Sequence, residues 1–438
     1  MKPQTQFIGA LGAFCTVAVL LPRNAAAVTD GEFNALKALV EQQGEKIEQL
    51  EKTHEQDQNQ LQQLKWQLAE TQSVATNAAQ KAESATAAQP MEMPPPAPSA
   101  THNFMMVGDA EVQFGKVDGQ HSGFELADFA PIFLYRKGDN LLFEAGFDVG
   151  LQNNAPAGPG NTTSINLSFA QLDYLVNDYV TVVGGYMLLP LGTYTERGAG
   201  WLNKIPDDPL PRDLLPSAGA GLQLRGAVPI GQSGQMLTYS AFGANGPSSA
   251  DGTDNAAALD LGGNVGINSD GSSGNLHGSP SGGGRLGWFY PWKAHYDLEL
   301  GVSGQTGKWD DADERQWSAA VFDAALHVGP NVEIKGEYIN TWAGTGDAGT
   351  IHPWGWWIQA GYKLAGLNLD LPVINNLELI GRYDTIHDGL GIRVNRWTTG
   401  YVYYFSNTLL FEGDYEFVNS NDPAQNHNAF VLQLSFGF

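Results

Sequence analysis

Three carboxylates alternate with other residues in the stretch FEGDYEF near the carboxyl end of the chain. Side chains two positions apart point to the same face of a β-strand, so Glu412, Asp414 and Glu416 share one face. A row of carboxylates that faces water attracts cations and repels anions. The opposite face carries Phe411 and Tyr415, whose rings favour an apolar environment. The chemistry of these acids therefore depends on what lies on each side of the strand.

A second polar cluster could in principle support hydrolysis. Asp384, His387 and Asp388 lie close together in the sequence, and an acid paired with a histidine can activate a nucleophile. No nucleophile accompanies them, so a polar cluster at the end of a loop is the favoured interpretation. The 9 histidines are scattered without the spacing of a metal site. The sequence predicts neither an enzyme nor a bound metal or cofactor.

Alternation with a period of two recurs from residue 102 to the last residue, which predicts strands throughout this part of the chain. Short turns such as Ser406-Asn407 follow every second strand, and longer polar connections fill the other gaps. An even count of about 16 strands with this alternation is typical of a membrane-spanning antiparallel β-barrel. The predicted strands cover residues 104–116, 124–137, 140–152, 164–176, 179–190, 218–229, 235–246, 283–292, 295–309, 315–328, 331–342, 353–364, 376–387, 391–405, 408–418 and 428–438.

The predicted fold class is therefore all-β, a transmembrane barrel over residues 102–438. A charge at the lipid midplane costs roughly 2–4 kcal/mol, so the acids must face the interior. A barrel of about 16 strands holds water there. Aromatic residues near strand ends, as in WFYPW and WGWW, suit the headgroup level. The residues predicted to line the pore are Arg225, Glu333, Lys335, Glu337, Arg382, Asp384, Glu412, Asp414 and Glu416.

Two short segments frame the region before the barrel. Residues 1–27 combine a basic start, an apolar run and small residues at a predicted cleavage site, which indicates a secretory signal peptide. The only cysteine, Cys15, lies in it, so the exported chain can form neither a disulfide nor a cysteine-ligated metal site. Residues 90–101 are rich in proline, which cannot continue a helix, and form a predicted linker.

Between them, residues 28–89 carry an apolar residue at every third or fourth position, which predicts an α-helical coiled coil in the periplasm. A single amphipathic helix is the alternative. A polar layer at His54 suggests a role in setting register, with metal binding or pH sensing as the other possibility. The predicted coiled-coil core consists of Leu36, Val40, Ile47, Leu50, His54, Leu61, Leu64 and Leu68.

Three stretches resemble the phosphate-selective porin O and P family of outer-membrane channels. The first is VGGYMLLPLGTYTERGAGWLNKIPDDPLPRDLLPSAGAGLQLRG, the second is NRWTTGYVYYFSNTLLFEGDYEFV, and the third is the terminus FVLQLSFGF. The resemblance implies a homotrimer of 16-stranded barrels in outer-membrane lipid. It also implies that the terminal Phe438 is recognised by the barrel-assembly machinery.

The same resemblance implies that a long loop after the fifth strand folds into the pore. By similarity this loop is residues 191–217, which contain several prolines and both signs of charge. Opposed charges at a constriction sort solutes by charge. An extracellular loop packed on a neighbouring subunit is the alternative. The predicted constriction residues are Glu196, Arg197, Asp207, Asp208, Arg212 and Asp213.

The charge balance departs from the phosphate channels of that family, whose pores carry a ladder of arginines. Residues 102–438 contain 16 lysines and arginines against 36 aspartates and glutamates, and the whole chain has a net charge of −24. Such a balance disfavours nucleic acid as a partner. The scattered arginines 225, 285, 382 and 396 are expected to pair with interior acids.

The sequence therefore predicts a water-filled porin that mildly prefers cations and takes no cofactor. An anion or phosphate channel remains the first alternative. The second is an envelope tether in which the barrel is mainly an anchor and the coiled coil grips the cell wall.

Overall fold

The structure is a computed structural model of the full chain. The predicted signal peptide, coiled coil and linker, with all of the predicted coiled-coil core, lie outside the residues that it describes. Those residues are 103–119, 122–153, 161–198, 200–231, 233–261, 280–369 and 371–438.

Sixteen long strands build the described part of the chain. In chain order they are β1 (Phe104–Val117), β2 (Gly123–Lys137), β3 (Leu141–Asn153), β4 (Asn161–Asn177), β5 (Val180–Leu188), β6 (Ala218–Ile230), β7 (Gln235–Ala244), β8 (Ser281–Lys293), β9 (Tyr296–Lys308), β10 (Gln316–Val328), β11 (Val332–Gly344), β12 (Trp354–Lys363), β13 (Leu377–His387), β14 (Arg393–Tyr404), β15 (Leu409–Ser420) and β16 (His427–Gly437).

Each long strand pairs antiparallel with its neighbour in the chain, and the sheet closes on itself. Closure is made by β1, which pairs with β2 on one side and with β16 on the other, where Gln113 lies opposite Gln433. A closed sheet leaves no row of unpaired backbone groups, which a strand in hydrocarbon could not satisfy. The prediction of about 16 antiparallel strands in a barrel is confirmed.

The two faces of the strands differ as their period of two requires. In β15 the residues at even positions are buried inside the barrel, whereas Tyr415 and Phe417 are exposed on its outer surface. Outer surfaces elsewhere carry aromatic residues near the strand ends, including the stacked rings of Trp288 and Tyr290, 5.4 Å apart. Trp357 differs from this pattern, because it is buried inside and donates a hydrogen bond to Glu337.

The connections alternate in length between the two ends of the barrel, called here the turn end and the loop end. At the turn end the strands are joined mostly by two to four residues, such as 138–140 and 405–408. One turn-end connection, residues 364–376, is longer and contains two short helices, Leu364–Leu367 and Pro372–Asn375. None of the helices in the described ranges has the length and apolar character needed to cross a membrane.

Loop-end connections hold one another in place above the barrel. The Arg315 guanidinium lies 2.7 Å from the Asp254 carboxylate, which joins the connection after β9 to the connection after β7. The Asp347 carboxylate accepts a hydrogen bond from the backbone N–H of Ala256. This bond, with further backbone donors, holds the pKa of Asp347 below its ordinary value of 3.8.

Candidate functional site: an acidic passage beside an inward-folded loop

The connection between β5 and β6, residues 189–217, folds into the barrel and is called here the inner loop. It contains three short helical turns, Thr195–Arg197, Gly200–Asn203 and Leu210–Leu214. Most of its apolar side chains are buried against the wall, which a loop projecting into solvent would not allow. The buried apolar residues of the inner loop are Leu189, Leu191, Tyr194, Ile205, Leu214 and Leu215.

The first part of the inner loop is held by backbone donors. The N–H groups of Thr193 and Tyr194 donate to one carboxylate oxygen of Glu337 on β11, at 2.6 and 2.9 Å. The N–H of Gly192 donates to the Ser303 hydroxyl on β9 at 2.9 Å. Bonds from backbone donors to a buried carboxylate are charge-assisted and strong. Glu337, predicted to line the pore, lies beneath the inner loop.

The tip of the inner loop lies on a cluster of buried charges on β13 and β14. Arg396 contacts Asp384 at 3.1 Å, and Arg382 contacts the same carboxylate at 3.0 Å. Asp384 accepts the N–H of Leu210 at 3.2 Å, and Arg396 donates to the carbonyl of Asp208. These side chains therefore join the wall to the loop tip through charge-assisted hydrogen bonds.

A third attachment is an ion pair on the turn-end side of the inner loop. The Lys204 ammonium contacts Glu333 on β11 and lies 3.1 Å from Glu378 on β13. Glu378 also accepts a hydrogen bond of 2.5 Å from Tyr404. Lys335 lies two residues after Glu333 on β11, so the two side chains share the inner face. Gln359 on β12 also donates to the carbonyl of Asn203 at 3.0 Å. These attachments to five wall strands make the inner loop a fixed part of the interior.

The predicted constriction residues differ in exposure. Glu196 and Arg197 are exposed in the lumen, and Arg197 lies 2.8 Å from Glu299 on β9. Asp208 accepts a hydrogen bond of 2.6 Å from the Tyr194 hydroxyl and pairs with Arg212 at 3.0 Å.

Asp207 lies 3.8 Å from Arg396, and Asp213 is exposed to the lumen beside Arg212. The inner loop thus presents both signs of charge.

A cavity of about 480 Å³, called here the passage, lies on the other side of the inner loop, against the wall formed by β1 to β5. Among the described residues, its lining contains a single basic side chain, Arg212, and four aromatic rings, among them Tyr186 and Tyr194. The acidic residues that line it are Asp109, Glu111, Asp128, Asp148, Glu196 and Asp208.

Asp128 is a lining residue that the sequence analysis missed, and a β-bulge explains why. Glu111 lies directly opposite Asp128 in the β1–β2 pair, but the register shifts between Glu111 and Val112. The shift places the exposed Phe124 and the inward Asp128 on opposite faces, although both are at even positions. A bulge adds one residue to one strand and so reverses the parity beyond it. Strict alternation could not reveal this residue.

The three acids of β15 face inward, as their position on the strand requires, but the inner loop and neighbouring strands bury them. Glu412 accepts hydrogen bonds from Ser435 at 2.7 Å and Gln433 at 3.2 Å. Glu416 pairs with Arg396 at 3.3 Å. Asp414 is also buried. A second cavity of about 400 Å³ lies next to this region, between the loop tip and β1, β14 and β16.

The remaining interior arginines are paired with acids. Arg225 contacts Asp173 on β4, and Arg285 contacts Asp323 on β10. Arg225 keeps a partly exposed side chain, whereas Arg285 is mostly covered. Paired guanidinium groups have little residual attraction for a passing anion, because their charge is already compensated.

The polar cluster noted in the sequence does not converge on one point. Asp384 is buried inside the barrel, whereas His387 stacks on Trp354 with ring centroids 4.2 Å apart. Asp388 accepts backbone hydrogen bonds from Leu390 and its two successors, which shapes a loop-end turn. Within the described ranges, no group of three or more histidine, cysteine or acidic residues is arranged to hold a metal ion.

No family model matches the chain, and no curated protein matches it. Solved barrel structures are similar to it at low identity. An anion-selective porin from Comamonas acidovorans is 11% identical, with 76% of this chain and 99% of that chain covered and a TM-score of 0.49.

OmpF of Salmonella typhi in complex with daunomycin is 13% identical, with coverages of 76% and 97% and a TM-score of 0.49. A loop L8 deletion mutant of OmpT, an outer membrane protein of Vibrio cholerae, is 9% identical, with coverages of 76% and 99% and a TM-score of 0.47.

Proposed function

We propose that this protein is an outer-membrane porin, a water-filled channel for passive diffusion of small hydrophilic solutes and ions. The outer surface of the barrel is apolar with aromatic residues near the strand ends, which suits lipid and its headgroup level. The interior holds charged residues and an open passage. In this arrangement the turn end faces the periplasm, together with the predicted coiled coil of residues 28–89.

The passage prefers cations, and one observation carries this part of the proposal. The cavity beside the inner loop is lined by six carboxylates and one guanidinium, and that guanidinium, Arg212, is itself paired with Asp208. Because acidic groups outnumber basic groups in this lining, the cavity attracts mobile cations more than anions. Screening reduces the effect, since the Debye length is about 8 Å at physiological salt. The preference should therefore be mild and should weaken as ionic strength rises.

We propose that the protein assembles as a homotrimer, which the coiled coil helps to stabilise. The coiled coil also makes the contact with the cell wall. Phe438 at the end of the chain serves as the recognition residue for the barrel-assembly machinery. The protein performs no catalysis in this proposal.

The reversal potential in a potassium chloride gradient tests the selectivity. We expect the wild type to prefer potassium, and Glu111→Gln combined with Asp128→Asn to lower the cation-to-anion permeability ratio by about two- to fivefold. One carboxylate attracts a monovalent cation by about 1 kcal/mol at contact distance in water. Asp139→Asn is the matched control, because it removes one charge from an exposed turn at the rim.

Two outcomes would favour the alternatives. An anion-selective wild type whose conductance saturates with phosphate would indicate an anion channel. A folded barrel that does not conduct would indicate a tether. A triple variant, Glu412→Gln with Asp414→Asn and Glu416→Gln, tests whether the buried acids of β15 contribute to selectivity. A fall in its cation preference would show that these acids also act on permeating ions.

A further inference from the structure

The connection between β12 and β13, residues 364–376, differs from the other turn-end connections. They are short and polar, such as Gly138-Asp139-Asn140 and Ser406-Asn407-Thr408, whereas this one runs LAGLNLDLPVINN with a single charged residue, Asp370. Several of its apolar side chains are exposed on the surface of the barrel: Val373 is 68% exposed, and Leu367 and Leu371 are each 52% exposed. Contiguous exposed apolar residues mark an interaction surface.

The start of this segment lies on the outer side of the barrel. A Cβ atom added at Gly366 would stand 2.7 Å from the Tyr362 hydroxyl. Tyr362 has the same parity on β12 as Ile358, whose side chain is exposed on the outer surface. The segment therefore begins beside the outer wall, where the apolar surface of the barrel ends.

The far end of the segment is also continuous with that outer surface. The carbonyl of Asn376 accepts a hydrogen bond from the N–H of Tyr404. Asn376 leads into β13, where Leu379 is exposed on the outer surface. The adjacent turn carries Phe405, which is 61% exposed and packs edge-on against Tyr403 at 5.0 Å. Exposed apolar residues thus extend from the outer surface of β12 through the segment to β14.

We propose that residues 364–374 form an interfacial anchor, with Leu367, Leu369, Leu371 and Val373 inserted into the phospholipid leaflet at the turn end. This inference rests on the proposed function, because it requires the outer surface of the barrel to face lipid. A short amphipathic segment with one charge lies at the boundary between headgroups and acyl chains, where its apolar side chains leave water. The anchor would set the depth of the barrel in the membrane on this side.

Depth-dependent fluorescence quenching tests the anchor. A single cysteine is placed at Val373→Cys in the full chain with Cys15→Ser, labelled with an environment-sensitive fluorophore, and reconstituted in phosphatidylcholine and phosphatidylglycerol vesicles. We expect quenching by a nitroxide near the top of the acyl chain and protection from aqueous iodide. Leu390→Cys, which is 59% exposed in a loop-end connection, is the aqueous control, and Ile358→Cys on the outer surface of β12 is the lipid control.

The controls separate failure of the anchor from failure of the porin. If the probe at position 373 is quenched by iodide as strongly as the probe at position 390, the segment lies in water and the anchor is wrong. Protection from both quenchers would mean that protein covers the segment, which also overturns the inference. If the probe at position 358 is not quenched by lipid nitroxides, the barrel does not face lipid and the proposed function itself fails.

Discussion

Single buried charges hold the inner loop to the barrel wall, and Arg396 has the largest number of partners among them. Its side chain is 7% exposed and contacts Asp384, Glu416 and the carbonyl of Asp208. A buried carboxylate without a cationic partner lowers the stability of the fold. Arg396 therefore stabilises the barrel mainly by neutralising the buried acids around it. Charge at this position is therefore a structural requirement of the interior.

Replacing Arg396 should destabilise the barrel. Arg396→Met removes the cation that pairs with Glu416 and weakens the compensation of Asp384, which keeps Arg382. We expect a loss of about 3 kcal/mol, at the low end for breaking a buried pair because one partner remains. Arg396→Lys should recover part of the lost stability, since lysine restores the positive charge but lacks the planar guanidinium and its several donors.

The measurement is the free energy of unfolding in urea, followed by the shift in electrophoretic mobility of the folded barrel. Arg393→Met is the control on the same strand, because Arg393 is exposed at the loop end and bonds only neighbouring polar groups. Equal stability of the two methionine variants would contradict a structural role for the Arg396 cluster.

At the scale of elements, the inner loop fills one half of the barrel interior. Its attachments lie on β9 and on β11 to β14. The passage is left against β1 to β5, where the acids have few basic neighbours. In the proposed channel, the constriction and the selectivity therefore come from different elements: the loop narrows the lumen, and the opposite wall supplies the charge.

Removing part of the inner loop should widen the passage. Deletion of residues 198–210 takes away Lys204 and the loop tip but leaves the bonds of Thr193 and Tyr194 to Glu337. We expect single-channel conductance to rise and cation preference to fall, because a wider lumen lies farther from its charges. Deletion of the exposed residues 251–253 at the loop end should leave conductance unchanged. A folded 198–210 deletion with wild-type conductance would show that the constriction lies elsewhere.

At the scale of the whole molecule, the predicted coiled coil adds an element that barrel closure does not require. The barrel closes through β1 and β16, and β1 begins at Phe104, after the linker. Every edge of the sheet is thereby paired without the first 101 residues. The coiled coil is then expected to act on assembly and on envelope contacts rather than on the barrel itself.

Deleting residues 28–89 should weaken the proposed trimer while leaving the barrel folded. We expect more monomer in detergent and the same unit conductance, because a heptad stripe buries its apolar side chains only against partner helices. Sedimentation and heat-dependent mobility of the two forms provide the measurement. A trimer that is as stable without these residues would limit the coiled coil to a tethering role.

Much of this fold follows from the sequence because a strand has a local period. Alternation placed Glu412, Asp414 and Glu416 on the inner face and located the sixteen strands to within a few residues of their observed ends. The same rule failed at Asp128, since a bulge reverses the parity partway along β2, whereas strict alternation assumes one parity along the whole strand.

Only the tertiary structure decided which interior acids meet the passage. Glu337 is brought to Thr193 and Tyr194, and Asp384 to Leu210, across more than a hundred residues of chain. Pairings of this kind depend on how the loop packs against distant strands, and no local pattern encodes that distance. The row on β15 that the sequence makes conspicuous is therefore covered, whereas the less conspicuous Glu111, Asp128 and Asp148 of β1 to β3 are only partly buried and line the cavity beside the inner loop.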